Sequence, residues 1–199
     1  MLYISHRINT SAQLRDVPTQ YGVELDLRDH GDRIVLQHDP FKDGEDFSEY
    51  LKNYQHGLMI LNVKSEAIES RVLDLVRQSN VPDYFFLDCS FPMIRKLISW
   101  GERKIAVRFS EFESVEMAMS LAGQIDWVWV DCFTKMPLTA ETYQKLQRHF
   151  KLCAVSPELQ GRGVDSIPAY AAQLSPYPMD AICTKRPDLW QIATSRRAA

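Results

Sequence analysis

No run of about 18 apolar residues occurs anywhere in the chain, so nothing in it reads as a membrane-spanning helix. The opening Met1-Leu-Tyr-Ile-Ser-His-Arg lacks the apolar core of a signal peptide. Cys89, Cys132, Cys153 and Cys183 form neither a CxxC pair nor a disulfide-like framework; scattered through apolar strand-like runs, they read as buried reduced thiols. These absences lead us to expect a cytoplasmic protein. An excess of one charge is missing too: 23 Lys and Arg face 26 Asp and Glu, for a net charge of −3. That excludes a uniform basic field for nucleic acid, so an anionic partner must be held by a few local cations. Repeats, low-complexity tracts and evident linkers are also lacking, and residues 1–199 are expected to form one domain with a proper core. The closing Ser195-Arg-Arg-Ala-Ala reads as a frayed tail.

What is present is alternation. Short apolar, β-branched or aromatic runs recur at Leu2–Ser5, Val23–Leu27, Leu58–Lys64, Tyr84–Ser90, Lys104–Ser110, Trp127–Cys132, Leu152–Ser156 and Ala181–Lys185. Several intervening segments carry a 3.6-residue period, as in Ile68, Val72, Leu75 and Val76 or Ile94, Leu97 and Ile98. Thr139 is a fitting N-cap, with Leu138 and Tyr143 placed for a hydrophobic staple, and Pro187 precedes a last amphipathic segment. Eight such units predict a parallel sheet closed into a (β/α)8 TIM barrel, with an open doubly wound sheet as the alternative. One stretch departs from the pattern. Ile34–His38 follows the second strand after only six turn-forming residues, Arg28 to Arg33, too few for a crossover helix, and predicts a β-hairpin extension after strand two.

Three polar clusters sit at or near predicted strand ends: His6-Arg7, Glu24-Leu25-Asp26 and His38-Asp39-Pro40. Residues i and i+2 of a strand share a face, so Glu24 and Asp26 project together and would repel unless a cation lay between them. Oxygen donors of this kind suit a hard ion, Mg²⁺ or Ca²⁺. Such an ion can bind a phosphoryl oxygen, while two histidines trade protons with the attacking and leaving oxygens. His30, His56 and His149 need no catalytic explanation.

The order HR, then ExD, then HD resembles the glycerophosphodiester phosphodiesterase family, TIM barrels with the site at the strand C-termini. The similarity extends to Leu61-Asn-Val-Lys64, Ser90-Phe91 and the closing Asp180-Ala-Ile-Cys-Thr-Lys-Arg-Pro-Asp188, and so covers nearly the whole chain. The resemblance implies an acid and base pair in His6 and His38, metal binding by Glu24, Asp26 and Asn62, and phosphate binding by Arg7 and Lys64. Which histidine gives and which takes the first proton stays open. It further implies a small-molecule phosphodiester substrate, a place in lipid metabolism, and no nucleic-acid partner; oligomeric state is unspecified.

Two departures bear on the transfer. Position 62 carries Asn where the family has a carboxylate, which should weaken the ion's hold unless Asp88 or Glu158 compensates. Only Asp39 to Gly57 separates the HD motif from the third strand, where the family has a larger lid. Arg162 and Lys185, after strands seven and eight, are candidates for a further anion contact on the loops that bind phosphate in many TIM barrels. The competing reading is a catalytically weak barrel that binds a phosphorylated small molecule.

Overall fold

The computed structural model describes residues 1–195; the last four residues of the expected tail lie outside the described residues, and Ser195 closes the final helix. The chain divides into two units, residues 6–105 and residues 1–5 with 106–199. It opens with β1 (Leu2–Ser5), which belongs to the second of these.

In residues 6–105 the order is α1 (Ser11–Asp16), β2 (Gly22–His30), β3 (Arg33–Leu36), β4 (Glu45–Asp46), α2 (Phe47–Leu51), β5 (Met59–Val63), α3 (Glu69–Gln78), β6 (Tyr84–Leu87) and α4 (Phe91–Ser99). Strand β2 is central. It pairs in parallel with β5, with Asp26 opposite Asn62 and Leu27 opposite Val63. Its C-terminal half pairs antiparallel with β3, Leu27 opposite Leu36. Asp26 O accepts from Gln37 N and Leu27 O from Lys64 N; successive carbonyls of a strand point to opposite edges, so β3 and β5 flank β2 on its two sides. Strand β5 continues in parallel to β6, and Phe86 bridges to Ile105. All of β5 is buried, as expected for a parallel strand covered on both faces. The helix stripes differ slightly from the periodicity: α3 buries Val72, Leu73 and Val76 with Ile68 before it, while Leu75 is half-buried. Neighbouring positions i and i+1 share a helix's buried stripe when it lies across a sheet, a choice the period alone leaves open.

Strand β4 was not evident in the sequence, being two residues long, and it pairs with β3. Gly44 makes the return possible, since a Cβ there would sit 2.3 Å from the carbonyl oxygen of Leu36. The segment between β3 and β4 carries His38.

The second unit runs β7 (Ala106–Phe109), α5 (Val115–Met119), β8 (Trp127–Val130), α6 (Ala140–Gln147), β9 (Lys151–Val155), α7 (Ile167–Leu174), β10 (Ala181–Thr184) and α8 (Pro187–Ser195). Its strands pair in parallel from β7 through β8, β9 and β10 to β1. Thr139 is the N-cap of α6, and Thr142 completes a reciprocal capping box. Parallel strands alternating with helices give both units the pattern of a TIM-barrel-like fold. Among the described residues, no helix is long and apolar enough to cross a membrane.

Candidate active site

The two carboxylates of β2 lie where the two-residue period puts them, on one face and almost wholly buried, Glu24 at 1% and Asp26 at 0% exposure. Each is held by specific donors. Asn62 Nδ2 donates to Glu24 Oε1 at 2.7 Å, and the backbone N–H of Arg7 donates to Glu24 Oε2 at 2.8 Å. Asn9 clasps Asp26 twice: its Nδ2 donates to Oδ2 at 2.9 Å, and its Oδ1 accepts from the Asp26 backbone N–H at 2.9 Å. Arg7 Nε lies 3.5 Å from Asp26 Oδ2. Arg7 adopts φ 56°, a left-handed conformation uncommon outside glycine, and in it the backbone N–H meets one carboxylate while the guanidinium meets the other. Burial, and then the neighbouring Asp26 charge, push the Glu24 carboxyl up to about 7.

The two histidines differ in setting. His6 is 15% exposed, with Nε2 3.6 Å from Glu24 Oε2. His38 is 41% exposed, and its Nδ1 lies 3.0 Å from Asp39 Oδ1. Asp39 is itself held to about 2, chiefly by its hydrogen bond from Lys42 and then by His38, so it stays ionised as the partner of that ring. With Nδ1 turned to Asp39, Nε2 is the ring nitrogen that does not face that carboxylate.

Lys64 follows β5 and places Nζ 3.1 Å from Asp88 Oδ2 and 3.8 Å from Asp26 Oδ1. Asp88, just past β6, has φ 61°, a second left-handed non-glycine residue beside the site. Its carboxylate, one candidate to compensate for Asn62, accepts from Lys64 Nζ.

The donor set can be tested for a cation. Asp26 Oδ1 and Asn62 Oδ1 are buried and accept no hydrogen bond among the described residues, and their residues are direct register partners on β2 and β5. Two such oxygens in adjacent strands would be satisfied by a hard ion. Among the described residues, no group of three or more His, Cys, Asp or Glu is arranged to hold a metal. The residues fit an ion at Asp26 Oδ1 and Asn62 Oδ1, whereas both Glu24 oxygens already accept hydrogen bonds, from Asn62 Nδ2 and the Arg7 N–H.

His6, Arg7, Glu24, Asp26, His38, Asn62, Lys64 and Asp88 all belong to residues 6–105. Glu158, Arg162 and Lys185 belong to the second unit, where two of the three are engaged in packing. The buried Glu158 carboxylate accepts from Thr184 Oγ1 at 2.5 Å, from Lys185 N at 3.0 Å and from Ser156 Oγ. The Arg162 guanidinium donates to the carbonyls of Cys132, at 2.5 Å, and Thr134, at 3.3 Å, and lies over the Tyr170 ring. Lys185 is exposed. Sequence reasoning missed Asn9 and Arg28. Arg28 was legible in principle, because it continues the alternation of Glu24 and Asp26 on β2; Asn9 lies in a loop, where no period marks it.

Comparison with solved structures agrees in architecture. A glycerophosphodiester phosphodiesterase from Agrobacterium tumefaciens superposes with a TM-score of 0.70 at 18% identity, over 96% of this chain and 99% of that one. A glycerophosphoryl diester phosphodiesterase from Parabacteroides distasonis gives 0.72 at 14% identity, over 98% of this chain and 86% of that one. This chain has the fold of those phosphodiesterases. The likeness outranks that to a mutant tryptophan synthase alpha-subunit from Pyrococcus furiosus, at 0.52 and 12% identity over 92% of this chain and 85% of that one. No family model matches the chain, and no curated protein matches it in sequence. With so little identity, the fold is what the structures share, and the chemistry has to be argued from the residues of β2, β5 and their loops.

Proposed function

We propose that the chain acts as a single TIM-barrel domain that hydrolyses a small-molecule phosphodiester, of glycerophosphodiester type, by histidine acid and base catalysis. The observation that carries the reading is the company the two histidines keep: His6 beside the Glu24 and Asp26 pair, and His38 oriented by an ionised Asp39. One imidazole takes the proton of the attacking oxygen, and the other gives a proton to the leaving alcohol. Arg7 and Lys64 supply the positive charge that an anionic phosphodiester needs, one as a planar fork and the other as a point charge. The donors Glu24, Asp26 and Asn62 would hold Mg²⁺ or Ca²⁺, which when bound polarises a phosphoryl oxygen as a Lewis acid. Glu24 also steadies His6, and Asn9 fixes the orientation of Asp26. Four free cysteines support a reducing, cytoplasmic setting.

Asn62 favours one competing reading, a barrel that binds a phosphorylated small molecule and turns it over poorly. The test is hydrolysis of bis(p-nitrophenyl) phosphate and of a glycerophosphodiester with added Mg²⁺, Ca²⁺ or Mn²⁺. The expected outcome is that His6→Ala and His38→Ala each lower kcat by about 10² or more. Wild-type rates equal to those of both variants would refute the assignment.

A further inference from the structure

On β2 the face that carries Glu24 and Asp26 continues to Arg28, two residues further toward the strand's C-terminal end. A cation on this rung is half-buried, and among the described residues it pairs with neither carboxylate, whose charged neighbours are His6, Arg7 and Lys64. Its fork reaches two backbone oxygens instead: Nε donates to the carbonyl of His38 at 3.0 Å, and Nη1 to the carbonyl of Lys64 at 2.7 Å. These acceptors come from different neighbours of β2. His38 lies two residues past the end of β3, and Lys64 one residue past the end of β5, the strands that flank β2 on opposite edges. The chain leaving β3 last meets β2 at Gln37 N to Asp26 O, and the chain leaving β5 at Lys64 N to Leu27 O; β3 runs antiparallel to β2, so its own ladder continues past Arg28 to His30 opposite Arg33. After those contacts, among the described residues, neither departing segment has a further backbone hydrogen bond to β2, and the Arg28 guanidinium is the tie that reaches both.

The geometry points to Arg28 as a positioning residue for the reaction, one guanidinium that sets the spacing between the His38 imidazole and the Lys64 ammonium. It touches no reacting atom. A planar fork with donors at fixed angles can hold two carbonyls at a set separation, which a flexible ammonium cannot do. This inference rests on the acid and base role assigned above to His38 and the phosphate role assigned to Lys64. Misplacement of catalytic groups by about 1 Å costs on the order of 10²-fold in rate.

The experiment measures kcat and KM for bis(p-nitrophenyl) phosphate with Mg²⁺ in wild type, Arg28→Ala, Arg28→Lys and, as control, His38→Ala. The expected result is a loss of about 10²-fold in kcat for Arg28→Ala, with a much smaller change in KM. Arg28→Lys should fall between, and millimolar guanidinium should restore part of the rate to Arg28→Ala but none to His38→Ala. A kcat for Arg28→Ala within about twofold of wild type, or a loss that guanidinium fails to relieve, overturns the inference. Should Arg28→Ala not fold, the Arg28→Lys variant decides: an undiminished kcat overturns the proposal. Amide hydrogen exchange gives a readout that needs no turnover. Residues 37–42 and 64–67 should exchange at least about tenfold faster in Arg28→Lys, and unchanged exchange overturns the tie whatever the activity. An inactive wild type with the expected exchange pattern would instead overturn the assigned reaction and leave the tie standing.

Discussion

Replacing Asn62 by Asp separates the two contributions that position 62 makes, as a donor to Glu24 and as an oxygen beside Asp26. The Asn62 side chain is buried, with Nδ2 2.7 Å from Glu24 Oε1. Asn62→Asp turns that donor into a carboxylate oxygen and adds a third acidic group to Glu24 and Asp26, where the Glu24 carboxyl is already raised to about 7. Without a cation, at a pH above about 7 where Glu24 is ionised, the loss of a hydrogen bond to a charged group costs about 1.5 to 3 kcal/mol, and like-charge crowding adds to it. A net loss of about 3 kcal/mol lowers Tm by about 6 to 12 °C in a chain of this size. With a divalent ion the sign reverses, because the ion gains a charged donor at a position in register with Asp26. At an ion concentration of about 100 times Kd, binding restores about 2.7 kcal/mol. Thermal unfolding in EDTA and across a Mg²⁺ or Mn²⁺ series, with calorimetric Kd values for both proteins, provides the measurement. The reasoning predicts that the variant is less stable than wild type in EDTA, binds the ion more tightly and gains more from it. An ion response no larger than that of wild type would remove Asn62 from the donor set.

Three further outcomes follow from buried carboxylates and from the Arg162 brace. Glu24 is held near 7 against an ordinary 4.5, so the native state keeps a proton that the unfolded chain releases. Its contribution is fully present below 4.5 and is lost as pH rises through about 7, an upper limit of about 3 kcal/mol. Urea unfolding of the ion-free protein should show this slope and Glu24→Gln should lack it; parallel profiles would refute the cause. In the second unit, Glu158→Ala and Arg162→Ala should each lower stability by about 2 to 4 kcal/mol, because each strands buried partners. Inorganic phosphate affinity, read by calorimetry, should be unchanged in Arg162→Ala; a clear loss would make Arg162 an anion ligand.

Much of this arrangement was legible in the amino-acid order alone. The eight apolar runs and the helical period between them follow from burial, and burial is written into side-chain type. The pairing of Glu24 with Asp26 on one face needs only the two-residue repeat of a strand. The N-cap Thr139 and the antiparallel β2 and β3 pairing follow from local backbone chemistry and from a connection too short for a helix. What the tertiary structure decided is the partnering of groups far apart in sequence. Asn62 proved to be both a donor to Glu24 and the holder of an unsatisfied oxygen, and Asp88 a partner of Lys64. Arg162 went to backbone carbonyls and the Tyr170 ring, and Arg28 became a link between two loops. A charged side chain long enough to reach several acceptors has no preference that its neighbours in sequence can reveal. Its choice is made by which unsatisfied oxygens the folded backbone leaves within reach.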